Sequence, residues 1–272
     1  MHLLVLGLGY TAARFAAAFT ALGGRVTAVR SRPGPGTLTL HDVALPAVLG
    51  AATHILSSIP PALGPADTGR DPAVAAHGPA IAAAPAQWVG YLSSTGVYGD
   101  AQGAWVDETA PLNGRRSGRM AADLAWQNLH PSVRVFRLPG IYGPMRSALD
   151  RLTAGPVARI ALPGHVFSRI HVDDIVGAML ASFEHGRPGV YNLCDNEPAP
   201  GEAVTAHAAR LLGLPVPPLQ CLEDARLSPM GRDFYGECRR VANGKMTRDL
   251  QYKLRYPDYR AGLAACLREM QK

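Results

Sequence analysis

Short apolar runs alternate with longer alanine-rich segments along the first half of the chain. The apolar runs predict strands at Leu3–Leu6, Arg25–Arg30, Thr37–Leu40, His54–Ser58, Trp88–Ser93 and Val133–Leu138. The alanine-rich segments between them predict helices at Thr11–Leu22, Asp71–Ala84 and Gly118–Leu129. Strands that alternate with helices in this way are typical of a parallel sheet covered on both faces. The pattern therefore predicts an α/β fold, a doubly wound parallel sheet of the Rossmann type.

The second half of the chain has a looser pattern. Short strands are predicted near Ile160, Ile170 and Tyr191, and helices from Asp173 and Gly201. Residues 214–240 contain prolines, arginines and acidic residues with little periodicity, which predicts a small substrate lobe over the carboxyl edge of the sheet. We expect a single structural unit, in which residues 1–145 form a dinucleotide-binding core. Residues 146–272 complete the sheet and form the C-terminal lobe.

The segment that directly follows the first predicted strand reads GLGYTA and begins at Gly7, which fits the dinucleotide pattern G-x-G-x-x-G/A. Gly7 allows the tight turn, Gly9 lets the backbone approach a pyrophosphate, and Ala12 keeps the helix close to the sheet. Tyr10 and Thr11 open the helix, whose N-terminus would face the phosphates. Because the turn lies between a strand and a helix, we predict that it binds a nicotinamide dinucleotide.

The end of the second predicted strand indicates which dinucleotide is bound. An NAD(H) site usually has Asp or Glu about 20 residues after the glycines, whereas arginine there suits the 2′-phosphate of NADP(H). No acidic residue precedes Asp42, and the strand ends in Arg30, Ser31 and Arg32. Two guanidiniums that flank a hydroxyl can bind a phosphate through charge-assisted hydrogen bonds. NADP(H) is therefore favoured over NAD(H), and the alternative interpretation of the two arginines is a solvated surface loop.

Several further sequence blocks follow the turn in order. They are SSTGVYG at 93–99, VDE at 106–108, RLPGIYGP at 137–144, RIHVDD at 169–174 and YN at 191–192. Together with the glycine-rich turn, these blocks make the chain similar, nearly from end to end, to the extended short-chain dehydrogenase/reductase superfamily. The resemblance is to its NAD-dependent epimerase/dehydratase group.

The resemblance implies roles for individual residues. It places Ser94 where a hydroxyl contacts the substrate beside the nicotinamide, and Asp42 at the adenine amino group. The further cofactor contacts that it implies are Ser58, Ile59, Pro60, Arg119, Pro139 and Ile141. The substrate contacts that it implies are Arg146, Arg169 and His171. A structural histidine is an equal alternative for His171, and Asp173 or Asp174 is expected to do no more than cap a helix.

The chain departs from the superfamily at its acid/base pair, a Tyr four residues before a Lys. When the helix is aligned on Asp123, Arg115 takes the Tyr position and Arg119 takes the Lys position. An arginine gives up no proton at neutral pH, so Arg115 cannot act as the acid, although Arg119 can hold the ribose. Tyr98 and Tyr142 are the candidate replacements, because both are predicted in loops at the carboxyl edge of the sheet. For either tyrosine, packing alone is the alternative.

The composition of the chain argues against several classes of protein. The chain is 47% hydrophobic and 18% charged, which is typical of a globular protein, and no apolar run reaches the ~20 residues of a membrane span. The four cysteines are scattered, as reduced thiols in a cytoplasmic protein are. The histidines lack metal-ligand spacing, and the net charge of +6 comes without a nucleic-acid module. We expect a cytoplasmic protein with no metal, no membrane contact and no nucleic acid.

These patterns favour an NAD(P)-dependent oxidoreductase, or an epimerase/dehydratase-like enzyme, in which Ser94 contacts a small polar substrate. The alternative is a catalytically inactive NADP(H)-binding sensor or regulator, which the missing Tyr–Lys pair favours. The superfamily commonly forms dimers through two helices that correspond here to Asp71–Ala84 and Gly118–Leu129. A homodimer is therefore a further expectation.

Overall fold

The computed structural model describes residues 1–32, 34–61, 70–225, 227 and 229–272, and only the backbone of Pro229 and Met230. The strands are β1 (His2–Leu6), β2 (Arg25–Val29), β3 (Thr37–Leu38), β4 (His54–Ser57), β5 (Trp88–Ser94), β6 (Trp105–Val106), β7 (Val133–Leu138), β8 (Gly140–Tyr142), β9 (Arg159–Ile160), β10 (Arg169–His171), β11 (Gly189–Asn192), β12 (Leu219–Gln220) and β13 (Arg240–Val241). The α-helices are α1 (Tyr10–Ala21), α2 (Leu45–Ala51), α3 (Pro72–Ala82), α4 (Ser117–Gln127), α5 (Ala148–Ala154), α6 (Val172–Ala181), α7 (Gly201–Leu211), α8 (Pro229–Phe234), α9 (Gly244–Asp249) and α10 (Tyr259–Met270). A 3₁₀ turn, Thr95–Tyr98, follows β5.

Among the described residues, seven parallel strands form the central sheet, in the order β11-β7-β5-β4-β1-β2-β3. The strand order reverses at β1, with β2 and β3 on one side and β4, β5, β7 and β11 on the other. This arrangement confirms the predicted doubly wound Rossmann-type fold. In such sheets, ligands bind at the carboxyl ends of the strands beside the reversal, which here lies between β1 and β4.

Helices cover both faces of the central sheet. Phe15 of α1 and Met179 of α6 belong to the core on one face, and Ile81 of α3 and Trp126 of α4 belong to the core on the other. A strand that is covered on both faces needs apolar residues at successive positions. All five residues of β1 are accordingly buried. This is why its sequence reads as an unbroken apolar run.

Side-chain caps set where two of the helices begin. Asp71 precedes α3, and its carboxylate accepts hydrogen bonds from the backbone N–H groups two and three residues on, at 2.9 and 3.1 Å. The predicted helix start at Asp71 is therefore its N-cap. At α6 the cap is His171, whose Nδ1 accepts a hydrogen bond from the Asp173 N–H at 3.2 Å. The expectation that Asp173 or Asp174 caps this helix is wrong, because both lie within its first turn.

The second half of the chain extends the sheet and packs beside it. β11 pairs in parallel with β7, and helices α5, α7 and α10 pack around a cluster that includes Leu149 and Leu263. Two short parallel pairs, β6–β13 and β9–β12, tie residues 219–241 to the rest of the chain. The sequence did not predict α2, α5, α8, α9 or α10. Within the described ranges, no helix has the length and apolar character that a membrane span requires.

Candidate dinucleotide and substrate site

A cavity of about 1060 Å³ lies at the carboxyl edge of the central sheet. Its walls come from the turn after β1, the ends of β4, β5 and β7, the start of α4, residues 145–154, and residues 233–241. Pockets that bind one small ligand typically have volumes of about 300–1,000 Å³. The cavity therefore has room for part of a dinucleotide together with a small molecule.

The glycine-rich turn forms one wall of the cavity. Gly7 has a φ of +91°, and a Cβ atom on it would lie 3.0 Å from Ile59 Cγ1, so the turn requires glycine there. Gly9 is exposed, and a Cβ on it would meet no described atom within 4 Å. In the described chain no side chain caps α1, and its first turn contains no acidic residue. These first-turn N–H groups therefore fit the pyrophosphate of a dinucleotide.

The residues after β4 support the turn from the neighbouring strand. Ser58 donates a hydrogen bond from its backbone N–H to Leu6 O at 2.8 Å and one from Oγ to Gly7 O at 2.5 Å. Ser58 and Pro60 line the cavity, whereas Ile59 packs against the core and against Gly7. Two of these three predicted cofactor contacts thus reach the cavity, and Ile59 shapes the turn instead.

The predicted 2′-phosphate site consists of Arg30, Ser31 and Arg32. All three residues are exposed and follow β2, whose last residue, Val29, accepts a hydrogen bond from the Gly7 N–H at 3.1 Å. They therefore lie beside the glycine-rich turn, outside the residues that line the cavity. Asp42 Oδ1 accepts a hydrogen bond from the backbone N–H two residues on, at 2.9 Å, in the turn that leads to α2. Its predicted adenine contact stays a prediction.

The start of α4 brings Arg115, Arg116 and Arg119 to the cavity. Burial lowers the pKa of the Arg119 guanidinium, which forms no ion pair with any residue that the structure describes. Arg119 therefore suits a polar or anionic ligand, because an unpaired buried charge is costly. Arg115 instead donates from Nε to Glu237 at 2.8 Å and from Nη2 to the Asp233 carbonyl at 2.6 Å. Arg115, which stands where the superfamily has its tyrosine, therefore links the segment before α4 to the C-terminal lobe.

A buried ion pair fixes α4 against the sheet. Asp123 accepts hydrogen bonds from Arg137 at 2.8 and 3.1 Å and from Ser93 Oγ at 2.5 Å. The two charged side chains are 0% and 3% exposed. Arg137 also donates to the Tyr98 oxygen at 3.0 Å, and the Tyr98 O–H donates to Asn192 Oδ1 at 2.7 Å. This network positions the start of α4 relative to the end of β5.

Ser94 is the last residue of β5 and lines the cavity. Its Oγ accepts a hydrogen bond from the Gly96 N–H at 3.1 Å, which holds the side chain at the wall. The Ser94 O–H donates to no described residue, so it is available to a ligand oxygen. Arg239 lies beside it, because a Cβ on Gly96 would be 3.3 Å from Ser94 Oγ and 3.9 Å from Arg239 Nη2. A hydroxyl donor and a guanidinium therefore share this wall.

Tyr98 and Tyr142 lie outside the residues that line the cavity, which corrects the expectation that one of them supplies a proton. Tyr98 is buried, both of its hydrogen bonds go to protein groups, and burial raises its pKa. Tyr142 is buried in the cluster of α5, α7 and α10, with its hydroxyl 3.4 Å from the Asp258 carbonyl oxygen. Burial raises the pKa of Tyr142 as well. Both phenols therefore keep their protons and serve packing.

Arg169 and His171 also lie outside the cavity lining, contrary to their predicted substrate contacts. Arg169 Nη1 donates to the carbonyl oxygens of Phe167 and Ala199 at 2.7 and 2.9 Å, and burial lowers its pKa to about 10. His171 is 1% exposed, its ring packs against two tyrosine rings, and burial lowers its pKa to about 4. His171 is thus a neutral structural residue that caps α6.

Other predicted contact residues do line the cavity: Tyr10, Thr11, Ala12, Pro139, Ile141 and Arg146. Tyr10 donates to the Pro144 carbonyl oxygen at 2.9 Å, and the Arg146 guanidinium lies over the Tyr10 ring at 5.5 Å. Residues that sequence reasoning missed are Arg151, Phe167, Phe234 and Arg239. They come from separate segments with no local motif. The irregular composition of 214–240 was the only signal for the last two.

Comparisons with known proteins show which proteins the chain is similar to. No protein-family model matches the sequence. A conserved protein of unknown function from Silicibacter pomeroyi has a TM-score of 0.89 and 43% identity, with 98% of both chains covered. A candidate NAD-dependent epimerase/dehydratase from Methylobacillus flagellatus has a TM-score of 0.72 and 26% identity, with 100% of this chain and 99% of that chain covered. These neighbours are consistent with the extended short-chain dehydrogenase/reductase superfamily that the sequence resembles.

Other proteins match less of the chain or share fewer identical residues with it. The human epimerase family protein SDR39U1, solved with NADPH, has a TM-score of 0.77 at 19% identity, with 98% of this chain and 99% of that chain covered, which shows the shared fold. Protein YeeZ from Escherichia coli K12 is 32% identical over 173 residues, 62% of this chain and 58% of YeeZ. A 3-diazoavenalumate denitrifying reductase from Streptomyces is 34% identical over 140 residues, 47% of this chain and 45% of that protein. The chain thus spans less than two thirds of the length of the curated relatives it matches.

Proposed function

We propose that the chain is an oxidoreductase that binds NADP(H) on the turn after β1 and reacts with a small polar substrate at Ser94. The observation that carries this proposal is one cavity that joins the uncapped start of α1 to an available Ser94 hydroxyl. The NADPH in the human neighbour and the reductase name of the Streptomyces relative support it. Epimerase or dehydratase chemistry would use the same two features.

The charge at the end of β2 supports NADP(H) over NAD(H). Arg30 and Arg32 are exposed beside the turn, and neither forms an ion pair with a described residue. Asp42, the first acidic residue of the chain, accepts a hydrogen bond within its own turn. An arginine pair suits a 2′-phosphate, whereas a ribose 2′-hydroxyl is usually held by a carboxylate.

In the proposed reaction, the side chains that line the cavity have separate roles. NADP(H), when bound, supplies or accepts a hydride. Ser94 donates its O–H to the reacting oxygen of the substrate, and Arg239 stabilises negative charge that develops there. Arg119 holds ribose hydroxyls from the start of α4. Because Tyr98 and Tyr142 lie outside the cavity, the proton reaches the reacting oxygen from solvent through Ser94 or from the substrate itself.

One observation favours a second candidate function, an NADP(H)-binding sensor. Arg115, at the usual Tyr position, bonds to Glu237 and to the Asp233 carbonyl of the lobe. A sensor would use this tie to report cofactor binding through the lobe, with no turnover.

The test compares Ser94→Ala with Arg115→Ala at saturating NADPH, against a panel of small aldehydes and ketones. Removal of a hydrogen-bond donor to a reacting oxygen typically lowers kcat by about 10²–10³-fold, so we expect Ser94→Ala to show this loss. Arg115→Ala should keep most of the activity, because an arginine transfers no proton. Normal turnover in Ser94→Ala with an inactive Arg115→Ala would contradict the proposal. If NADPH binds but no panel member oxidises it, the sensor function is supported instead.

A further inference from the structure

We define the outer end of the cavity by four of its lining residues, Arg151, Phe167, Asp233 and Phe234. Arg151 lies in the last turn of α5, Phe167 between β9 and β10, and the other two in α8. None of these four residues belongs to a block that carries the superfamily resemblance. The residues of the outer end can therefore indicate the class of substrate, which the shared motifs do not.

An aromatic ring forms one wall of the outer end. Phe234 is 57% exposed and lines the cavity, and its ring stacks on Phe167 with centroids 4.5 Å apart and an interplanar angle of 11°. Phe167 is in turn contacted by the ring of His165 at 4.5 Å and by the edge of Tyr235 at 5.5 Å. One face of Phe234 is therefore supported by a fixed aromatic cluster. Its exposed face can stack against a flat ligand ring, a favourable arrangement for aromatic pairs.

A positively charged side chain lines the same cavity as this ring. Arg151 lowers the otherwise raised pKa of the Tyr235 hydroxyl, and the Tyr235 ring packs edge-on against Phe234 with centroids 6.3 Å apart. Arg151 forms no ion pair with any described residue. Its sequence neighbour, Asp150, is engaged in the cap of α5 through Ser147 at 2.7 and 2.5 Å. The outer end thus offers one uncompensated guanidinium in the same cavity as an exposed aromatic face.

The acidic residues at this end already have partners. Asp233 lies 3.8 Å from Arg115, and Glu237 bonds to Arg115 at 2.8 Å and to Arg239 at 2.7 Å. These two carboxylates occupy the guanidiniums of Arg115 and Arg239. Arg151 is therefore the guanidinium of the outer end that is left for a ligand carboxylate.

We infer that the outer end binds an aromatic carboxylate, with its ring on Phe234 and its carboxylate on Arg151. This inference rests on the proposed function, because the rest of the ligand then extends toward Ser94 and the cofactor. It names the class of substrate: a small planar acid that carries its reacting group away from its carboxylate.

Isothermal titration of the full chain, with and without saturating NADPH, tests the inference. The ligands are cinnamate, cinnamamide, which lacks the charge, and cyclohexanecarboxylate, which lacks the flat ring. We expect cinnamate to bind about tenfold more tightly than cinnamamide, which makes no charge-assisted bond, and about threefold to tenfold more tightly than cyclohexanecarboxylate, which cannot stack.

Two variants assign the contacts. Arg151→Gln should weaken cinnamate about tenfold and leave cinnamamide unchanged. Phe234→Leu should weaken both by about threefold to tenfold and leave cyclohexanecarboxylate unchanged. Arg210→Gln and Trp105→Leu, at an exposed arginine and an exposed aromatic residue outside the cavity lining, are the matched controls and should bind all ligands as the parent does. Circular dichroism confirms that each variant is folded.

The titrations distinguish failure of this inference from failure of the proposed NADP(H)-dependent function. Equal binding of cinnamate, cinnamamide and cyclohexanecarboxylate, or an unchanged cinnamate affinity in Arg151→Gln, would each overturn the inference. Absence of NADPH binding would overturn the proposed function, and the titrations without NADPH would still report on the outer end.

Discussion

The two ends of the cavity are built from different parts of the chain. The inner end, formed by residues 9–12 with Ser58 and Pro60 and supported by Gly7, is shaped by backbone groups at two adjacent strand ends. The outer end is shaped by side chains from α5, α8 and the segment before β10. A backbone site of this kind depends on a few glycines in a local motif, whereas a side-chain site depends on how distant segments pack. Local backbone geometry fixes the first, whereas side chains of the second can be exchanged without a change in the fold.

The largest effect should come from Gly7→Val, which changes the inner end alone. A side chain in the left-handed region costs about 1–2 kcal/mol, and its Cβ would lie 3.0 Å from Ile59. Displacement of the turn should remove at least two charge-assisted contacts, so NADPH affinity should fall by about 100-fold or more in a fluorescence titration. Gly213→Val is the control, because Gly213 has a φ of +67° with no atom near its Cβ. Equal NADPH affinity in the two variants would show that the cofactor does not bind at the inner end.

Asp123→Asn tests the network that fixes α4 against the sheet. Loss of one partner from a buried ion pair typically costs about 3–5 kcal/mol, since the other charge stays buried. We expect a decrease of this size in the free energy of unfolding, measured by urea titration. Asp249→Asn, in the exposed pair with Arg248, is the matched control and should cost no more than about 1 kcal/mol. Similar losses in both variants would mean that the Asp123–Arg137 pair does not secure α4.

A smaller effect concerns His171 in the C-terminal half, where burial lowers the pKa to about 4. The unfolded chain, with a histidine pKa of about 6.5, binds the proton first as the pH falls. The stability contributed by neutral His171 is therefore complete above pH 6.5 and is lost between pH 6.5 and pH 4. Asn can keep a capping acceptor without titrating.

From pH 7 to pH 5, the wild type should lose about 1–2 kcal/mol more unfolding free energy than His171→Asn. His54, whose pKa burial also lowers to about 4, is present in both proteins and cancels from the comparison. Urea titrations of both proteins at the two pH values give the difference. Equal losses would show that His171 titrates normally in the folded protein.

The contrast between the two ends also explains how far the sequence could predict the site. The strands of the sheet and the glycine-rich turn follow from local patterns, so they were predictable. The side-chain direction of Tyr98 was not, because its burial depends on Arg137 and Asn192, which are distant in sequence. The stack of Phe234 on Phe167 joins α8 to a loop and leaves no local signal.

Helix α10 is a different case, because its sequence did contain a signal. Asp258 caps the helix, and Leu263 and Cys266 follow with helical spacing toward the core. A cap followed by apolar residues three or four apart is a recognised helix start. The cap of α6 gave no such signal, since a histidine is an unusual N-cap and two acidic residues follow it.

The central claim, that the arginines after β2 select NADP(H) beside the inner end, is tested most directly by the dissociation constants of NADPH and NADH for the wild type and Arg30→Asp. Two charge-assisted contacts to the 2′-phosphate predict a wild-type preference for NADPH of at least about tenfold, lost or reversed in Arg30→Asp. Arg210→Gln, an exposed arginine in α7, should keep the wild-type preference. Equal or tighter binding of NADH by the wild type would contradict the account.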